Sequence, residues 1–280
     1  MDSLTSFQAG MAPYHPEWID GSKRGSGMNA TWRISVAGTR MILKTYDSRR
    51  NPLQSVLTEF GNRATGLTSY AAEARCCTER ECLRAWREAG FEVPAVMEFF
   101  PSIPLPSAFL AMEEIHGSLL LDILADTSVE KPKRRQLLER FLPLWAARHA
   151  EAVRRRDPRL VQEHGTFAHV FVDGNRFVTF DLEVAYCCPR DVQGLVGREI
   201  RAYLRSLAKR LPAEDVDDWF RVIATVYPEK ALLKRACDDL LRNRSPFRRF
   251  FHKLARLLPA AKRMHSKYEI AQRLEAAMQG

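Results

Sequence analysis

Long apolar runs are missing from this 280-residue chain. No stretch of roughly 18 apolar residues occurs, the length a helix needs to cross a bilayer. The opening residues, MDSLTSFQAGMAPYHPEW, lack the basic-then-apolar order of a secretory signal. Metal-type cysteine spacing is missing as well. Cys76, Cys77, Cys82, Cys187, Cys188 and Cys237 form no Cys-x-x-Cys pair. That argues against a zinc site or a thioredoxin-type redox pair, and the cysteines read as reduced thiols of a cytosolic protein. No repeat period is visible, which argues against solenoid and propeller folds.

Acidic residues are absent from one long window. Between Arg242 and Tyr268 there are nine Lys or Arg and no Asp or Glu. Taking these nine from the 43 basic residues leaves 34, against 34 acidic ones, so the whole net charge of +9 sits in this segment. Phe247, Phe250, Phe251, Leu254, Leu257 and Leu258 are interleaved with the charges. A cationic amphipathic helix broken at Pro259 suits an anionic membrane surface, where each Lys or Arg contributes about 1 kcal/mol. Part of the apolar stripe can instead pack as the last helices of the chain. Nucleic acid is disfavoured, because few aromatics fall on strands where bases could stack.

What is present is a change of period partway along the chain. TWRISVAGTRMILKTYD alternates about Ala37-Gly38 and predicts a hairpin of Thr31–Val36 with Met41–Tyr46. Residues 50–68 read as an irregular connection. Tyr70–Ala89 has helical spacing, with Glu79, Leu83 and Trp86 on one face and Gly90 as its stop. AVMEFF and SAFLAMEEI read as strands. After Gly117 the chain turns helical, with a short helix over Leu119–Ala125 and a long one over Lys133–Arg154, kinked at Pro143. Three more helices follow over Val192–Arg210, Glu214–Tyr227 and Pro228–Arg242, and one hairpin, HVFVDGNRFVTF, interrupts the series. The fold class is therefore α+β, a small β-rich part followed by a larger helical part. The expected division is a partly irregular N-terminal extension over 1–28, a β-rich lobe over 29–116, a helical lobe over 117–241 and basic amphipathic helices over 242–280.

Four features stand in a fixed order. Lys44 ends a strand in MILKTYD, Glu79 lies on the next helix in TERECLRAW, a polar loop runs from His164 to His169, and Asp181 ends a strand in VTFDLE. In this order and spacing the sequence resembles the protein-kinase-like superfamily. Within it the resemblance is to the small bacterial kinases of lipopolysaccharide core sugars, the heptose and Kdo kinases, and more distantly to RIO-type and aminoglycoside-phosphotransferase-like enzymes. It covers roughly residues 25–205 and rests on order rather than on one strict motif. It implies a two-lobed kinase fold, ATP and Mg2+ as cofactors, and phosphoryl transfer to a hydroxyl. The implied acceptor is a sugar of lipopolysaccharide core or a related glycolipid, met in the cytoplasm at the inner face of the membrane. Lys44 would neutralise phosphate charge and Glu79 would hold that lysine. Asp181 would bind metal with Glu183 assisting, and Gly25 and Gly27 in GSGMNATW would cover the phosphates. The backbone of Met112, Glu113 and Glu114 would lie beside adenine. A strongly anionic triphosphate and a charge-spreading transition state require such groups, and hard oxygen ligands suit Mg2+.

The loop lacks an acidic base. Related kinases read His-Gly-Asp, with a metal-ligating Asn five residues beyond the Asp. His169 takes the Asn place here, as a metal ligand. Counting back five residues reaches His164; shortening the loop by two puts Thr166 at the Asp position instead. Both alignments stand. In a loose transition state the base contributes less than positioning and charge, and a neutral His164 can orient an acceptor hydroxyl or take its late proton. A pseudokinase that binds a partner or membrane surface without transfer is the alternative. Asp191 reads either as a buttress of the loop or as a plain helix N-cap, and His149 as a packing residue.

Overall fold

Alternation about Ala37-Gly38 builds the first sheet. In the computed structural model, which describes residues 11–21, 29–47, 52–100, 105, 108–187, 191–242 and 265–280, Trp32, Ile34, Met41 and Leu43 are all buried. Strands β1 (Glu17–Gly21), β2 (Asn29–Val36), β3 (Thr39–Tyr46) and β4 (Phe109–Glu113) form an antiparallel sheet in that order. The β2–β3 turn has φ 49° at Ala37 and 82° at Gly38. Left-handed backbone at both central residues matches the right-handed twist of the flanking strands.

Two sequence expectations are corrected here. Residues 50–68 are not an irregular connection: Pro52–Thr65 form helix α1. Leu53, Val56, Leu57 and Phe60 recur at helical spacing, and Pro52 is pre-set for a first turn; Gly61 obscures the pattern. AVMEFF is not a full strand. Val96 makes an isolated bridge to Met112. Met97 N–H donates to Ala111 C=O at 2.9 Å and Glu113 N–H to Ala95 C=O at 2.8 Å. Prolines at 94 and 101 remove backbone donors on either side, so the ladder stays short.

Helix α2 (Ala72–Glu88) ends at Gly90, whose φ is 85°. Gly90 N–H donates to Arg87 C=O and Phe91 N–H to Trp86 C=O, both at 2.9 Å, a glycine-type stop. The chain's packing defines two units, residues 1–116 with Phe180–Cys187, and residues 117–179 with 188–280. In the first unit the stretch Phe180–Cys187 is stitched to the segment after α1. Thr68 N–H donates to Ala185 C=O at 2.8 Å and Cys187 N–H to Gly66 C=O at 2.7 Å.

The second unit holds β5 (Ser118–Leu119), α3 (Leu120–Ala125), α4 (Lys131–Arg155), β6 (Val170–Asp173) and β7 (Arg176–Thr179). Helices α5 (Val192–Ala208), α6 (Val216–Val226), α7 (Lys230–Leu241) and α8 (Lys267–Gln279) complete it. Helix α4 runs on through Pro143. At Gly117 an added Cβ would lie 2.2 Å from the Val172 carbonyl oxygen, so the approach to β6 needs glycine. Phe141, Trp145, Phe167 and Tyr203 form an aromatic core, with Trp145 and Tyr203 centroids 4.8 Å apart. Tyr268 and Ala271 of α8 are buried with Leu240 of α7, so the end of the chain packs. Residues 243–264, with seven of the nine basic residues of the 242–268 window, lie outside the described residues, as do Gly25, Gly27 and Cys188. Cys76, Cys77, Cys82, Cys187 and Cys237 are free thiols. Among the described residues no helix is long and apolar enough to cross a membrane.

Candidate functional site

A buried ammonium needs carboxylates around it, and Lys44 of β3 has three. It is 7% exposed. Its Nζ donates to Glu79 Oε2 at 2.7 Å and Asp181 Oδ1 at 2.8 Å, and lies 3.1 Å from Glu183 Oε2. Glu79 comes from α2, one turn before the buried Leu83. The Tyr46 hydroxyl donates to the same Glu79 oxygen at 2.5 Å. Asp181 has φ 63°, a left-handed backbone rarely adopted outside glycine, and such strain gathers at functional sites.

Arg75, one turn before Glu79 on α2, is fully buried. Its Nη1 donates to Asn29 Oδ1 at 2.8 Å and Glu183 Oε1 at 3.2 Å, and its Nη2 to the Asp47 carbonyl at 2.6 Å. Its Nε donates to the Tyr70 carbonyl at 3.2 Å, and it lies over the rings of Tyr46 and Tyr70. Asn29 Nδ2 donates to Glu183 Oε2 at 2.5 Å. Lys44 and Arg75 thus face Glu79, Asp181 and Glu183, leaving one negative charge in excess. Burial works against the Lys44 ammonium, yet Glu79, Asp181 and Glu183 outweigh it and lift its pKa well above that of an ordinary lysine. Glu79 is pushed up by burial and by its carboxylate neighbours, against the pull of Lys44. Oxygens of Glu79, Asp181 and Glu183 lie within 4.8 Å of one another, a set of hard donors whose chemistry fits Mg2+. Asp181, with 32% of its side chain exposed, is the most open of them.

Met112 is buried on β4, paired across to Ile42. The Glu113 carboxylate accepts from Ala95 N–H at 3.1 Å, and buried Glu114 pairs with Arg33 and, at 3.0 Å, with Arg40. The Glu113 carboxylate thus holds the Ala95 backbone, and that of Glu114 holds an arginine from each of β2 and β3.

The second unit holds the loop. His164 is exposed, with its Nδ1 2.5 Å from Glu163 Oε2. Thr166 caps the short 3-10 turn Phe167–His169, its Oγ1 accepting from Ala168 N–H at 3.2 Å. An added Cβ at Gly165 would come within 2.8 Å of the Tyr203 ring and 2.9 Å of Glu199 Cγ, so the loop backbone lies hard against α5. His169 is half-buried and its Nδ1 lies 3.3 Å from Gln162 Nε2. Gln162 Oε1 accepts from the Tyr203 hydroxyl at 2.8 Å, and Gln162 N–H donates to Glu199 Oε2 at 2.9 Å. Glu199 is fully buried and is paired with Arg148, whose Nη1 lies 3.1 Å away. Trp145 Nε1 donates to it at 3.3 Å. Asp191 caps α5 by accepting from Gly194 N–H at 3.0 Å.

His149 is fully buried, 4.8 Å from the Trp145 ring, and its Nδ1 shares a hydrogen bond with the Tyr227 hydroxyl at 2.7 Å. Burial pushes its pKa down from 6.5 to about 4, against the pull of Glu199. Glu199 is held at about 2, because Arg148 and His149 outweigh burial. The unfolded chain therefore takes a proton on His149 near pH 6.5, and the folded one only near pH 4. Stability falls as pH drops through that window, by about 3 kcal/mol in all. His149→Gln is expected to flatten this loss, measured by urea unfolding at pH 6.5 and pH 4. Equal losses in the two proteins would refute it.

Sequence reading missed Arg75, Asn29, Tyr46, Gln162 and Glu199. Arg75 had a cue: it precedes Glu79 by four residues on the same helix face. Tyr46 had another, two residues beyond Lys44 on one face of a strand.

An antiparallel sheet with a buried Lys–helix-Glu pair, and a mostly helical second unit, make the chain α+β. The chain matches no family model and no curated protein. Among solved structures it is similar to one described as WaaP in complex with acyl carrier protein, over 82% of this chain and 88% of that one, at TM-score 0.44 and 15% identity.

Proposed function

We propose that this chain is a phosphotransferase that binds ATP with Mg2+ and passes the γ-phosphoryl to a hydroxyl of a lipopolysaccharide-core sugar or related glycolipid. The observation that carries the proposal is the charged, buried Lys44 held by Glu79 beside the strained, part-exposed Asp181. Lys44 neutralises phosphate charge, Glu79 keeps its ammonium in place, and Asp181 offers oxygen to the metal. Bound Mg2+ would neutralise charge on the phosphates. His169, steadied by Gln162, is the candidate second ligand. His164 with Glu163 forms an imidazole–carboxylate pair suited to orienting the acceptor hydroxyl. The acceptor class follows from the family resemblance and from the basic segment 242–268. A binder of the same fold that transfers nothing is the second reading. It is favoured by Thr166, which stands where one alignment puts the Asp base and whose hydroxyl is committed to a cap.

The test is calorimetry of ATP with and without Mg2+ on wild type and Asp181→Asn. Asn tolerates left-handed backbone, so this change removes charge and leaves the turn. Wild type is expected to bind with metal, and the variant at least about tenfold more weakly. A wild type that binds no nucleotide with any divalent metal overturns the proposal. Transfer of labelled γ-phosphate to core oligosaccharide separates the two readings.

A further inference from the structure

The three carboxylates around Lys44 are not equivalent. We infer that Glu183 is a second anchor of Lys44, locked by Arg75 and Asn29, and not a metal ligand. The inference rests on the nucleotide-binding reading above and reassigns one residue of it.

Both oxygens of Glu183 are already engaged. Oε1 accepts from Arg75 at 3.2 Å, while Oε2 accepts from Asn29 at 2.5 Å and lies 3.1 Å from Lys44. Its side chain is 10% exposed. A Mg2+ ligand must offer its lone pair at about 2.1 Å within a near-octahedral shell. To do so Glu183 would have to loosen its hold on Arg75, a donor with no solvent exposure of its own. Arg75 is fully buried, and releasing its carboxylate partner would leave a guanidinium charge uncompensated in a dry site. Asp181 is the most exposed of the three.

The arrangement gives Lys44 two fixed carboxylates from different segments, Glu79 on α2 and Glu183 on the stretch 180–187. Its ammonium is thereby aimed before any phosphate arrives, which lowers the cost of ordering it on binding. Metal binding in this unit falls to Asp181. Arg75 and Asn29 are positioning residues that act through Glu183.

The experiment compares wild type and Glu183→Gln in two assays. Calorimetry gives ATP affinity in Mg2+ and in EDTA, and the Mg2+ concentration for half-maximal binding. Acetic anhydride labelling read by mass spectrometry gives the reactivity of Lys44 without nucleotide. Glu183→Gln is expected to weaken ATP binding about tenfold both with and without metal, the loss of one charge-assisted contact. The Mg2+ requirement should not move, and Lys44 should label faster. A loss confined to Mg2+-containing samples, with a raised Mg2+ requirement, makes Glu183 a metal ligand and overturns the inference. If wild type binds no nucleotide, the proposed function falls and labelling alone decides: faster labelling in the variant upholds the anchor, and an unchanged rate overturns it. If Glu183→Gln does not fold, Asn29→Ala takes its place, with the same pattern and a smaller effect expected.

Discussion

Lys44→Met is expected to abolish nucleotide binding and to destabilise the first unit by about 3–5 kcal/mol, the cost of breaking a buried ion pair by removing one partner. Methionine nearly matches the lysine stem, so lost volume is not the cause. The cause is that Glu79 and Glu183 stay buried without the ammonium between them. The sign with pH follows. Glu79 is already raised above an ordinary carboxylate with Lys44 present, and without it the folded variant takes a proton more readily still. A folded-state pKa above the unfolded one adds stability at low pH that is lost as pH rises through it. The gap between variant and wild type should therefore narrow on acidification. Denaturant unfolding at about pH 7 and pH 5 reads both effects. A variant as stable as wild type at neutral pH would show that the cluster contributes no net stability.

The second large effect belongs to the helical unit. Arg148→Leu leaves Glu199 fully buried with its hydrogen-bond donors but without its guanidinium partner, and should cost a further buried-pair penalty of about 3–5 kcal/mol. Arg148 Nη1 also donates to the Leu160 carbonyl at 2.5 Å, so the segment after α4 loses a tether too. The double variant Arg148→Leu with Glu199→Gln separates these contributions. Removing the orphaned charge should restore more than half of the loss, and a denaturant-based double-mutant cycle measures it. A double variant no more stable than Arg148→Leu would place the damage in packing.

Much of the fold is legible in the sequence because local signals and tertiary needs agree. The β2–β3 turn places left-handed backbone at Ala37-Gly38, the β6–β7 turn at Gly174, and Gly90 stops α2. Helix α1 is harder to see because a glycine interrupts its stripe. In the site, Lys44, Glu79 and Asp181 are legible because the resemblance to kinases picks out those residue types in that order. Their supports are not. Arg75 and Glu183 are 108 positions apart, Asn29 and Glu183 are 154, and Arg148 and Glu199 are 51. Nothing local to Arg75 says that a carboxylate so distant in sequence will satisfy it. Counting residues in the loop gives His164 and Thr166 equal claims; that one pairs with Glu163 and the other caps a turn depends on backbone geometry that counting does not contain.

Glu199 has a consequence for how the loop breathes. One buried carboxylate on α5 accepts from the indole and guanidinium of α4 and from the main-chain N–H of Gln162. Exposing that amide to solvent exchange means stripping a donor from a charge in a dry interior. Surface loops commonly open at almost no free-energy cost, whereas core helices open only near global unfolding. The amide of Gln162 is therefore expected to exchange with the helices beneath it, which hydrogen–deuterium exchange would read. A loop by its backbone path, the segment would then share the opening energy of the helical core, to which His169 is joined through Gln162.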